Sequence, residues 1–233
     1  MSWAPKRFWT AATVHAEEGG HSVRLDGRPV RTPAKAPLLL PTEGLARLIA
    51  EEWDAQQGEV RPDTMPATRT ANSAIDKVAT QFDGVVCELA RYGGSDLLCY
   101  RADGPAELVD RQRAWDPVLA WAAERLEAPL TVTEGIVPVD QPAPSLMRLR
   151  GQLQAMSAFQ LAALYDLVAI SGSLVLGLAV AHGRLTGAEA FALSRIDEAF
   201  QSETWGLDDE AVAAEEVRLA AFLAAERFFL LCR

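Results

Sequence analysis

The sequence predicts an α+β fold, with a small amino-terminal β-rich part over residues 1–80 and a larger, mainly helical carboxyl-terminal part over residues 81–233. Up to Thr42, short runs with strand-like alternation are punctuated by Gly and Pro. Beyond Thr42 the apolar residues recur every three to four positions, the period of an amphipathic helix. A chain of 233 residues, 49% hydrophobic and 23% charged, is long enough for one large domain or two modest ones with real cores. No long linker, low-complexity tract or repeat marks the boundary between the two parts.

The strand candidates are RFWTAATVHAE, HSVRLDG, RPVRTP and PLLLP. A Glu18-Gly19-Gly20 turn and a tight Asp26-Gly27 turn join them into a small meander. Leu45, Leu48, Ile49 and Trp53 then share one side of a helix, with Glu51, Glu52 and Asp54 on the other and Thr42 as N-cap. After the Pro-rich passage from Val60 to Pro66, helical patterning continues to the end. Short extended pieces interrupt it at Asp96–Arg101 and Leu130–Thr133. Pro117 suits the first turn of a helix capped by Asp116, which argues against one continuous helix over Glu107–Leu126. Thr186 and Glu189 form a capping box ahead of Phe191, Leu193, Ile196 and Phe200, which share a face. Leu167–Ala181 carries no charge over 15 residues, too short for a membrane span, and reads as a buried core helix with Gly172 and Gly177 allowing close packing.

Composition excludes several functions. With 22 Lys and Arg against 32 Asp and Glu the formal charge is −10, which disfavours nucleic acid because phosphate neutralisation supplies most of that affinity. Cys87, Cys99 and Cys232 are far apart and odd in number, as expected in a reducing compartment. Neither a signal peptide nor an Arg- and Ser-rich presequence is recognisable at the amino terminus, which fits a bacterial cytoplasmic protein or a processed organellar one. Phosphate-loop, dinucleotide, zinc-protease and nucleophile-elbow motifs are missing, and Ser171-Gly172-Ser173 lies inside the most apolar helix. His15, His21 and His182 are too scattered to read as a metal site. The expectation is no cofactor and no metal.

The last third carries more information. Asp197-Glu198-Ala199-Phe200-Gln201 and Trp205-Gly206-Leu207-Asp208-Asp209-Glu210-Ala211 read as a helix, a turn at Gly206 and a second helix capped by Asp208. In a purely structural reading the acids favour helix dipoles, and Trp205 and Phe200 anchor a core. Most of Trp53, Trp115 and Trp121 read as core in the same way. A helical wheel of the last helix sets Glu215, Glu216, Arg218, Glu226 and Arg227 on one half. Val217, Ala221, Ala224, Phe228 and Leu231 fall on the other, and Glu210 projects with that apolar half. A carboxylate at the end of an apolar stripe needs a partner, neutralisation or a surface position.

The segments LDGRPVRTP (Leu25–Pro33), EWDAQ (Glu52–Gln56), MPATRTANSAID (Met65–Asp76), SDLLCYR (Ser95–Arg101), RQRAWDPVLAW (Arg111–Trp121), GIVPVDQP (Gly135–Pro142), SGSL (Ser171–Leu174), DEAFQ and WGLDDEA occur in this order. The ordered set resembles the ATP-twelve family, assembly chaperones of the ATP synthase catalytic head. The resemblance runs from Lys6 nearly to the end of the chain. It implies a protein with no reaction of its own that binds the free alpha subunit at its subunit-contact face and prevents aggregation until the ring forms. It also implies bacterial cytoplasm, or the mitochondrial matrix for organellar members, with no stable membrane insertion. The family's functionally sensitive acid in W-G-x-D-x-E maps onto Glu210, and Asp208, Trp205, Asp197 and Glu198 join it as expected partner-binding residues. Two alternatives stay open: a metal-dependent hydrolase or lyase using Asp197, Glu198, Asp208 and Glu210, and an interaction module with another client.

Overall fold

The computed structural model describes residues 6–135, 137–206 and 209–233. The chain forms two compact units. One comprises the residues up to Phe82 together with Ser157–Ala163 and Arg227–Arg233; the other comprises Asp83–Met156 and Leu164–Glu226.

In the first unit β1 (Ala12–Glu17) pairs antiparallel with β2 (Gly20–Leu25), in register from Ala12 opposite Leu25 to Glu17 opposite Gly20. Asp26 and Gly27 both have positive φ, at 47° and 82°, as the tight two-residue turn into β3 (Arg28–Pro29) requires. The Asp26 carboxylate accepts from the N–H groups of Thr10 and Ala11. The expected meander is corrected at its last step: β4 (Leu39–Leu40) pairs with β2, as β3 does. The cause is the intervening loop, where an Arg31–Pro37 bridge and the Ala36 N–H on Thr32 Oγ1 fold the chain back toward β2.

Helix α1 (Glu43–Asp54) packs on β1 and β2 through buried Leu45 and Ile49. Thr42 caps it as expected, accepting from the Leu45 N–H at 3.2 Å, and donates its own hydroxyl proton to the Leu231 carbonyl. Glu52 leaves the polar side of α1 to cap α2 (Pro66–Ser73), accepting from the N–H groups of Ala67 at 2.7 Å and Thr68 at 2.8 Å. Burial raises its pKa against those bonds. A π-helical turn over Ala74–Val78 follows.

The second unit is built from α3 (Phe82–Tyr92), α4 (Ala106–Gln112), α5 (Asp116–Arg125), α6 (Ala143–Gln154) and α7 (Ala158–Ser171). Helices α8 (Leu174–Ala181), α9 (Gly187–Ser194), α10 (Ile196–Trp205) and α11 (Asp209–Leu231) complete it, with α3, α7 and α11 each running on into the first unit. The extended pieces at Asp96–Arg101 and Leu130–Thr133 yield β5 (Tyr100–Arg101) and β6 (Thr133–Glu134), which pair in parallel.

Three sequence expectations need correction here. The charge-free run Leu167–Ala181 is largely buried, with Ala169 exposed, but is two helices, because Gly172 adopts φ +70° and Ser173 starts a new one. The Ser173 hydroxyl accepts from the Leu176 N–H and donates to the wholly buried Asp96 carboxylate at 2.7 Å. Asp96 also accepts from the N–H groups of Val175 and Leu98, at 3.0 and 3.1 Å. Loss of water nevertheless pushes its pKa up to about 6. Asp116 does not cap α5; it is already helical, and its carboxylate pairs with Arg101 at 2.8 Å. A 3-10 turn over Arg113–Trp115 does interrupt Glu107–Leu126. The Thr186–Glu189 capping box forms, but Phe191 and Phe200 lie on separate helices because the chain breaks at Arg195, with φ −109° and ψ 12°.

Candidate functional site: the α10–α11 hairpin

Residues of the RQRAW segment hold α9 and α10 in place. Arg111 grips Glu203 with two bonds of 2.8 and 2.7 Å, and its guanidinium lies 5.3 Å from the Phe200 ring centre. The ion pair holds the Glu203 carboxyl below the usual range. Buried Gln112 donates to Asp197 at 2.7 Å and accepts from the Ala102 N–H at 2.8 Å. The buried indole of Trp115 donates to the Leu193 carbonyl at 2.8 Å.

Helix α11 is fastened by its carboxyl-terminal half. Phe222 is fully buried against Phe191, with ring centres 5.7 Å apart, and the Glu226 carboxylate accepts from the Gly187 N–H at the start of α9. The half that follows the turn is largely exposed: Val212 is 41% and Val217 70% accessible. The wheel is therefore corrected. Val217 and Ala221, expected to be covered, face outward, and the side facing the protein runs through Glu215, Leu219, Phe222 and Ala225. Alanine and valine occur all round this helix, so its periodicity did not specify a face; contact with α9 does.

Between α10 and the exposed half of α11 lies a groove of about 780 Å³. Its apolar lining includes Ala199, Trp205, Ala211, Val212 and Leu219, with Arg195, Glu198, Glu203, Glu215, Glu216 and Arg218 as the charged part. Arg195, at the break between α9 and α10, ties the two sides together, bonding Glu198 at 2.7 Å and Glu215 at 3.1 Å. Glu215 also meets Arg218 at 3.3 Å. Trp205 ends α10, the chain leaves through Gly206 at φ +85°, and the indole is 78% accessible. The reading of Trp205 as a core anchor is thus corrected; with the turn opening at Gly206, little protein reaches it. Of the other tryptophans, Trp115 is buried, while Trp53 and Trp121 are half-buried.

The structure brings Trp205 and Glu198 to the groove and leaves Glu210 exposed in the first turn of α11. Half-buried Asp197 is turned to Gln112, and Asp208 lies outside the described residues. Arg195 and Val212 were not singled out from the sequence, and Glu215 was placed only on the polar half of the last helix. The Arg195–Glu198 spacing of three was a readable signal; the Arg195–Glu215 pairing depends on how α11 meets α9.

Among the described residues, no three His, Cys, Asp or Glu side chains gather as metal ligands would. Burial pushes the Cys99 and Cys232 thiols up to about 12, so both stay protonated near neutrality. No described helix is long and apolar enough to cross a membrane.

The class these features define is a two-unit α+β protein that presents an open helical hairpin with an apolar, charge-framed groove. A family model described as ATP12 chaperone protein matches residues 6–123, and the chain belongs to that family. It is 26% identical to the mitochondrial protein atp12 of Schizosaccharomyces pombe, across 97% of this chain and 82% of that one. The crystal structure of Atp12 from Paracoccus denitrificans is similar over 98% of both chains, at 55% identity and a TM-score of 0.94. An aspartate-to-lysine mutant of P. denitrificans Atp12p matches over the same shares at 54% identity and the same TM-score.

Proposed function

We propose that this ATP synthase assembly chaperone binds the free alpha subunit of the catalytic head through the α10–α11 groove, in a bacterial cytoplasm, and catalyses no reaction itself. The observation that carries the reading is a tryptophan 78% accessible beside an apolar groove of about 780 Å³, on a helix half whose valines face outward. Such surface is costly to leave uncovered and suits an apolar partner. Arg195 pairs with Glu198 and Glu215 across the groove and Arg218 pairs with Glu215, so these charges meet a docking apolar face already partnered. Trp205, Glu198 and Glu210 would touch the client, while Asp197 would act by fixing α10; Asp208 is assigned from the motif alone.

Titrating purified alpha subunit with this chain in a calorimeter should give a one-to-one complex. Glu210→Lys and Trp205→Ala should each weaken it at least tenfold while melting within about 2 °C of the parent. No heat of binding with the unaltered chain would overturn the reading. Calorimetry with magnesium or manganese should give no stoichiometric binding; a tight site would favour the hydrolase or lyase alternative.

A further inference from the structure

The first unit carries a second cleft, of about 250 Å³, that the client site does not use. Its apolar walls include Phe8, Trp9, Val30 and Trp53, and Lys6, Arg28 and Arg31 stand at it with no carboxylate in the lining. This local basicity runs against a chain whose formal charge is −10. Asp26, the acid whose field reaches Arg28, is itself engaged by the Thr10 and Ala11 N–H groups. Phe8 is 66% accessible, packed edge-on against Trp9 with ring centres 5.3 Å apart; Trp9 meets Trp53 at 5.2 Å. The indole N–H groups of Trp9 and Trp53 are buried and reach no acceptor.

We propose that this cleft is a binding site for an acidic peptide segment: one aromatic side chain seats against Phe8 and Trp9, and flanking carboxylates meet Lys6, Arg28 and Arg31. The volume admits one large side chain rather than a helix face. The site is independent of the α10–α11 groove, and it stands or falls separately.

The test uses the full chain and a fluorescein-labelled peptide with phenylalanine between pairs of aspartate and glutamate, followed by anisotropy. Binding should weaken at least tenfold when the peptide acids become lysines and when its phenylalanine becomes alanine. It should also weaken between low and 0.5 M salt, as screening requires. The double variant Lys6→Glu with Arg28→Glu should lose binding at an unchanged melting temperature, and Arg28→Gln should show a partial loss. Trp205→Ala should leave peptide affinity as it was. Equal binding of acidic and basic peptides, or full affinity in the double variant, would overturn the proposal. Retained binding to acidic lipid vesicles in that variant would place any acid-binding surface elsewhere and overturn it as well.

Discussion

Single side chains divide into those that hold the fold and those left facing out. Glu52, Gln112 and Trp115 all come from the motifs that mark the family, yet each spends its polar atoms inside its own unit. Trp205 and Val217 spend nothing there. For Trp205→Ala we expect little change in stability and a loss of client affinity of roughly 2 kcal/mol, about thirtyfold, measured by calorimetry. Asp96 behaves oppositely. Its pKa rises from an ordinary 3.8 to about 6 in the folded chain, so protonated Asp96 favours folding below about pH 4 and that contribution is lost as pH rises through 6. Lowered groups such as Glu17 and Asp26 favour folding at higher pH and lose their contribution as pH falls, so the comparison must be a difference. Asp96→Asn should remove the part of the stability change between pH 4 and 6 that belongs to Asp96, seen in urea melts of the two proteins across that window. Parallel curves would contradict this.

At the scale of elements, caps and tight turns were legible in the sequence. Thr42, the Thr186–Glu189 box and the Asp26-Gly27 turn form as read, because each depends on residues within a few positions. Breaks decided by distant partners were not. The stop at Gly172 rests on Asp96 capping α8, nearly 80 residues away, and the exposed face of α11 rests on Phe191 and Gly187. Gly177 was readable as a packing residue and is one. A Cβ there would lie 2.7 Å from Val168 Cγ2 and 3.3 Å from Leu164 Cδ1. Gly177→Ala should therefore destabilise by about 1–3 kcal/mol despite better helix propensity, read from urea midpoints. Arg111→Ala should loosen α10 without unfolding the chain, since its partners Glu107 and Glu203 are exposed. Faster amide exchange in residues 196–205 is the expected sign, with a modest loss of client affinity because the groove loses its fixed wall.

The whole molecule combines a net charge of −10 with a local apolar groove, a combination suited to staying dispersed while covering a sticky partner. The α+β order and the two helices that meet near Gly206 could be read from the chain. Which acid points inward and which outward could not, since Asp197 and Glu198 are adjacent and only packing against Gln112 separates them. The central claim is that the α10–α11 hairpin shields a free alpha subunit. Light scattering of dilute alpha subunit at a temperature where it aggregates tests this most directly. An equimolar amount of the chain should abolish the rise in scattering, and Glu210→Lys should restore much of it; a rise unaffected by the unaltered chain would contradict the account.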